Sequence, residues 1–333
     1  MIDRLALYDT LYALASADGR EGTLFGDCAP RAREAFSRSL VGEGQPIVWF
    51  ELPLAGRPRF DLHVAMSREA LRRGVSIPSG SCGGYDRLFR WYAEEEDGGG
   101  GLAFAYDVSE GRIDAPAIHV NVNNAPLSDM GRFYDIAAGE GSSGIYDGFL
   151  GRLPQGWRVW YAGVHPGRPG TPLRVDCFVD RAVQDAYAKD LGLLERDLRA
   201  VGFEAMGQAL PTLVAPILES PFGLELQFDL LRDGGTGPTL GLSAAFPLRA
   251  ASGVRQLFAE GGAVAELMGK VGQLGLADDR WRQVADASFS KLVMVEERPA
   301  VLFCAPTFVK LRMRDGMPLD AKAYLQAGMW QSG

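Results

Sequence analysis

The chain has 333 residues, 47% of them hydrophobic, with a formal net charge of -8 and a pI near 5.1. An acidic balance of this size excludes a general affinity for nucleic acid or anionic membrane, because either partner requires a basic stripe. The four cysteines, Cys28, Cys82, Cys177 and Cys304, are widely spaced with no CxxC, and the N-terminal run MIDRLALYDTLYALASADGR is too short and interrupted for a signal peptide or span. Together these point to reduced thiols in a cytoplasmic protein.

Leu5, Leu7, Tyr8, Leu11, Tyr12 and Leu14 repeat with helical period over 3–17, and a second helix is expected at 30–40. Strands at 47–52 and 59–66 flank Pro53 and a turn at Gly56, Arg57 and Pro58, making a first hairpin. Helix is expected at 67–73, a loop from Pro78, and helix again at 85–95 until the four glycines from Gly98 to Gly101 end it. A second hairpin spans 102–108 and 117–123. Helices at 128–137 and 144–150 lead to a third hairpin, 158–164 with 173–179.

An amphipathic helix is expected over 180–201 and another over 205–218, then a fourth hairpin, 224–231 with 239–246, across Gly234, Gly235 and Gly237. Helices at 250–274 and 278–286 precede short strands at 291–296 and 301–304. The last hairpin, FVKLRMRDGMPLDAKAYL over 308–325, alternates most clearly. Val309, Leu311 and Met313 fall on one face, and Lys310, Arg312 and Arg314 on the other.

The order helix, two antiparallel strands, helix recurs about five times. Each strand has an apolar face and a polar one: Ile118, Val120 and Val122 alternate with His119, Asn121 and Asn123, and Leu224, Leu226 and Phe228 with Glu225, Gln227 and Asp229. An open sheet of ten strands curls or aggregates at its edges, so closure is expected. A closed ten-stranded antiparallel barrel is too wide to be filled by short side chains and leaves a chamber. The fold class is therefore α+β: one domain over 1–333, a single antiparallel barrel with a polar lumen, surrounded by helices in αββα repeats. Trp49, His63, His119, Phe178 and Tyr324 on the polar face suit a lumen better than a solvated sheet.

In this arrangement the chain resembles the ABBA prenyltransferases, whose αββα repeats build such a barrel. Glu51 in IVWFELP stands where the fungal indole branch places the carboxylate base, and Arg59 before Phe60 in PRFDLHV stands near that branch's arginine–aromatic pair. Arg174 in LRVDCFV, Lys322 and Tyr324 in AKAYL, and Lys310 and Arg312 resemble its diphosphate-binding cations and shielding tyrosines. The chain departs from the pattern at His119 and Asn121, where the family has Lys-x-Tyr. It departs again at Asp176 and Phe178, where the family continues Arg-x-Lys-x-Tyr.

The resemblance implies transfer of an allylic prenyl group from a diphosphate co-substrate to an aromatic or peptide acceptor, in natural product biosynthesis or peptide modification. Glu51 would be the base; Arg59, Arg174, Lys310, Arg312 and Lys322 would hold the diphosphate. Trp49, His63, His119, Asn121, Asp176, Phe178 and Tyr324 would line the substrate site. No DDxxD cluster is present, so no magnesium or other cofactor is implied. Two alternatives stay open: a non-catalytic barrel that binds a hydrophobic or peptidic ligand, and a metalloenzyme using His63, His119 and His165, although no HxH or HExxH spacing exists.

Overall fold

Alternating sequence gives every strand one face that must be covered and one that need not be. In the computed structural model, which describes residues 3–39, 47–66, 84–94, 102–122, 127–166, 173–246 and 251–331, the sheet meets both needs by closing. The helix expected at 67–73, the glycine run at 98–101 and the turn at 167–170 lie outside the described residues.

Helices α1 (Arg4–Ala15) and α2 (Ala29–Arg38) precede β1 (Ile47–Pro53) and β2 (Asp61–Met66); α3 (Gly84–Glu94) precedes β3 (Leu102–Asp107) and β4 (Arg112–Asn121). Next come α4 (Leu127–Ala138), α5 (Ser142–Leu150), β5 (Trp157–Val164) and β6 (Leu173–Val179). Then follow α6 (Arg181–Lys189), α7 (Leu191–Ala200), α8 (Ala209–Leu218), β7 (Gly223–Leu230) and β8 (Thr236–Ala245). The last repeat holds α9 (Ala251–Phe258), α10 (Ala263–Gln273), α11 (Trp281–Asp286), β9 (Phe289–Val295), β10 (Arg298–Arg314) and β11 (Met317–Gln331).

Each strand from β1 to β8 pairs antiparallel with the next, β8 pairs with β10, β10 with β11, and β11 with β1 from Ile47↔Gly328 to Pro53↔Lys322. Ten strands thus form a closed barrel with the helices around it. The eleventh, β9, lies on the first half of β10, from Arg298↔Val295 to Cys304↔Phe289. The two segments expected at 301–304 and 308–314 are one strand; a bulge between Pro306 and Phe308 breaks the alternation that would have joined them.

The apolar faces point outward and are buried: Val48, Phe50 and Leu52 on β1, Leu173, Val175 and Cys177 on β6, Val309, Leu311 and Met313 on β10. Against β1 lies an aromatic cluster. Tyr8 stacks on Phe36 at 4.5 Å, and Phe50 meets Phe25 and Phe60 edge-on, each at 5.5 Å. Edge-on and offset pairs contribute about 0.5–1.5 kcal/mol each beyond area burial.

Two expected helices are each split. Over 180–201 the break is at Asp190, whose backbone is extended and whose side chain accepts from the Gly192 N–H at 2.9 Å, capping α7. Over 250–274 it is at Gly261, with φ +76°, between α9 and α10.

The turn joining β10 to β11 is held by a backbone contact. Gly207 has φ +55°, and a Cβ there would stand 2.4 Å from the Gly316 carbonyl oxygen. Gly207→Ala therefore forces both a left-handed alanine and a clash with main chain. It should lower stability by roughly 2 kcal/mol or more in a denaturant titration. Gly275→Ala, at φ +72° with nothing within 4 Å, pays only the left-handed cost, roughly 1–2 kcal/mol.

Candidate active site in the barrel lumen

The inward faces bring residues from distant parts of the chain together through strand register. Glu51 is opposite Tyr324 on one side and Asp61 on the other; Trp49 lies between His63 and Gln326. Lys310 is paired with Lys322 and Ser243, and Ser243 with Glu225. Asp176 lies between Tyr161 and Gln227, and Arg174 between Gly163 and Asp229.

Glu51 is buried and doubly partnered. The Lys322 ammonium pairs with one carboxylate oxygen, and His63 Nε2 lies 2.9 Å from the other. Burial by itself raises this carboxyl, but Lys322 and His63 together outweigh it and hold Glu51 well below the usual carboxylate range. An ionised carboxylate only accepts, so the proton between them sits on His63 Nε2. Tyr324 completes the group: burial and the adjoining Glu51 carboxylate keep its hydroxyl protonated, far above its ordinary value.

The remaining cations divide into two kinds. Arg174 Nε donates to Asp229 Oδ1 at 2.8 Å, and Arg312 binds both oxygens of Asp320 through a fork, with Nε at 2.7 Å. Lys310 differs. It is buried, makes no ion pair among the described residues, and sits 5.3 Å from the Tyr324 ring and 5.6 Å from the Phe308 ring, which stack at 4.0 Å. Burial lowers its pKa, while Asp176 and Glu51 act to raise it.

The carboxyls divide in the same way. Asp61 accepts from the Ser109 N–H at 2.9 Å and Asp176 from Gln227 Nε2 at 2.7 Å; burial raises both. Glu225, in contrast, receives no hydrogen bond from any described residue. Burial, and then the Asp176 charge, push it up to about 7, against the opposing pull of Lys310.

The three histidines form a row. His63 stacks on His119 at 6.0 Å, and His119 meets His165 edge-on at 5.5 Å. Gly163 makes the row possible, because a Cβ there would fall 2.7 Å from His119 Nδ1. Among the described residues no group of three His, Cys, Asp or Glu side chains is arranged to hold a metal ion. Asn121 donates to the Tyr161 hydroxyl at 3.2 Å.

Of the residues expected at the site from sequence, Trp49, Glu51, His63, His119, Asn121, Arg174, Asp176, Phe178, Lys310, Arg312, Lys322 and Tyr324 lie on inward-facing strand positions. Arg59 does not. Phe60 is drawn into the aromatic cluster and pairing begins only at Asp61, which leaves Arg59 exposed in the loop before β2. Glu225, Asp229, Trp160, Tyr161 and Phe308 also stand in the lumen, although the sequence pattern does not single them out as site residues. A bulge between Val159 and Tyr161 disrupts the alternation of β5, so the adjacent aromatics Trp160 and Tyr161 carry no readable inward–outward pattern.

No protein-family model matches the chain, and no curated protein matches it. Solved structures do. The prenyltransferase PriB, in its ternary complex with L-tryptophan and dimethylallyl thiolodiphosphate, is similar with a TM-score of 0.54 at 14% identity, over 97% of this chain and 94% of that one. The apo form of PriB gives 0.51 at 14% identity over 98% and 90%, and AnaPT from Neosartorya fischeri gives 0.51 at 10% identity over 98% and 94%. Inward charge and outward apolar faces, wound five times around one axis, give this chain the αββα barrel fold of the ABBA prenyltransferases.

Proposed function

We propose that the barrel is a transferase that moves an allylic prenyl group from a diphosphate donor to an aromatic acceptor, an aromatic amino acid or such a residue in a peptide. The observation that carries the reading is Lys310, an ammonium in no ion pair among the described residues, set beside the stacked Phe308 and Tyr324 rings. Allyl transfer needs that combination: a cation for the departing diphosphate and aromatic faces for the carbocation, worth about 0.5–2 kcal/mol per ring.

In the proposed step the allylic C–O bond breaks and its electron pair leaves with the diphosphate, held by Lys310, Arg174, Arg312 and Lys322. The acceptor's aromatic carbon attacks the cation, and its proton passes to Glu51. Lys322 cannot serve Glu51 and the diphosphate fully at once. When it turns to the donor, the carboxylate loses the partner that depresses its pKa and becomes a stronger base at the moment one is needed.

The residues that would hold the diphosphate are basic side chains instead of a carboxylate cluster, so magnesium is not required in this scheme. The free Cys28, Cys177 and Cys304 support a cytoplasmic setting, where the product would enter natural product biosynthesis or peptide modification. The second reading is a non-catalytic ligand-binding barrel, favoured by the carboxylates that already neutralise Arg174, Arg312 and Lys322.

Incubation with dimethylallyl diphosphate and L-tryptophan or tryptophan-containing peptides, read by mass spectrometry, separates the two. The transferase yields an acceptor heavier by one prenyl unit, with and without EDTA. Glu51→Gln then lowers turnover by at least about 100-fold while donor affinity changes little. Loss of turnover and donor binding together would count against the base assignment, and absence of product across the acceptor set would favour the binding module.

A further inference from the structure

The wall of the lumen formed by β5, β6 and β7 carries a group of side chains that the proposed transfer step does not use. Glu225 and Asp176 are two carboxyls of this wall, and the Asp176 charge acts on Glu225. Phe178 is opposite Glu225 in the register, Tyr161 is opposite Asp176, and Trp160 meets Phe178 at 5.8 Å. Both carboxyls also act on the Tyr161 hydroxyl, which places its ring in the same corner. Two acids with three aromatic rings form a setting for an organic cation: the rings offer their negative faces and the acids their charge.

A second observation shows that the corner attracts such a group. The Arg158 guanidinium lies over Phe178 at 4.8 Å and over Trp160 at 5.4 Å, a cation of the chain itself lodged on the outer part of these rings. Further in, Glu225 has no hydrogen-bond partner among the described residues. The charged groups facing it are Asp176 on β6 and Lys310 on β10. Lys310 is in the field of both acids, and Arg174, itself paired with Asp229, acts on Asp176, but among the described residues no cation pairs directly with Glu225.

We propose that Glu225 and Asp176, with Phe178, Trp160 and Tyr161, bind an ammonium group of the acceptor, so that the enzyme selects aromatic substrates carrying a positive charge. This rests on the reading of the barrel as a transferase for its word "acceptor", but the cation site stands on its own geometry. The donor is held by Lys310, Arg312 and Lys322 from the β10–β11 side with Arg174 reaching from β6, and the acceptor ammonium by Glu225 and Asp176 from the β6–β7 side. Asp176 then has a use of its own. Where the resembled family continues its row of cations, an acid at this position turns that part of the wall from anion binding to cation binding.

The test is calorimetric titration of the full chain with two matched pairs, tryptamine against tryptophol and benzylamine against benzyl alcohol, at pH 8. The amines should bind at least about tenfold more tightly than the alcohols, a difference of about 1.4 kcal/mol. Glu225→Gln should reduce that preference to less than about threefold, whereas Glu219→Gln, at an exposed position, should leave it standing. Lowering the pH to 6, where Glu225 takes up a proton, should weaken it in the wild type but not in Glu225→Gln.

Equal affinity within both pairs, no binding of either amine, or an amine preference untouched by Glu225→Gln overturns the proposal. A parallel titration with dimethylallyl thiolodiphosphate separates its failure from that of the transferase reading. Donor binding without amine preference removes only the acceptor site. Amine preference without donor binding removes the transferase and leaves an amine-binding barrel.

Discussion

Lys322→Met should cost about 3–5 kcal/mol of stability at pH 8, because it strands the Glu51 carboxylate in the barrel wall with no cation salt-bridged to it and only His63 and the Tyr324 hydroxyl beside it. Both partners are largely shielded, with side-chain exposures of 14% and 11%, so solvent screening does little to soften the loss. The double variant Glu51→Gln/Lys322→Met should regain at least half of it, since the penalty belongs to the uncompensated charge and not to lost packing. In the wild type the depressed Glu51 pKa contributes stability that is present above the unfolded value of 4.5 and is lost as pH falls through the folded one. In Lys322→Met burial dominates instead, so the deficit should shrink as the pH is lowered. Urea titrations of the four variants of the cycle measure this. A loss below about 1 kcal/mol, or a double variant no better than the single, would show the pair to be solvated in solution.

Glu225→Gln should do the reverse and stabilise the protein, increasingly as the pH rises above 4.5. The folded carboxyl titrates at about 7 against 4.5 for the free group. Between those values the folded chain binds more protons than the unfolded one, and stability therefore falls as pH rises through that window. Above it the full penalty applies, about 3 kcal/mol from a shift of this size. Replacing the acid with the neutral amide removes that penalty, so the denaturation midpoint at pH 8 should rise by several degrees while that at pH 4 is unchanged. An equal gain at both pH values would mean that packing, not charge, was responsible.

These two residues mark the limits of what was legible in the sequence. Alternation is a local property, and it placed Arg174, Asp176, Lys310 and Lys322 on inward faces without knowledge of the partner strands. Closure then followed from the number of such strands. What local pattern does not contain is which charge meets which. That Glu51 is neutralised by Lys322, 271 positions away, while Glu225 is left without a direct partner among the described residues, is decided by the register of β1 on β11 and of β7 on β8. Arg59 departs from its expected place for a related reason: alternation predicts strand from 59, but Phe60 is an aromatic core anchor and the strand begins at Asp61. Bulges in β5 and β10 shift the parity of the pattern in mid-strand, which hid Trp160 and Tyr161 and divided β10 in two.

On the proposed reading the lumen is a shared chamber in which Lys310, outside any ion pair among the described residues, would receive the diphosphate. Calorimetric titration with dimethylallyl thiolodiphosphate at pH 6 and pH 8 tests it most directly. The prediction is a dissociation constant on the order of micromolar, tighter at pH 6, where protonation of Glu225 removes a negative charge facing Lys310, and weakened at least about tenfold by Lys310→Met. No saturable binding at either pH, or binding indifferent to Lys310→Met, would contradict it.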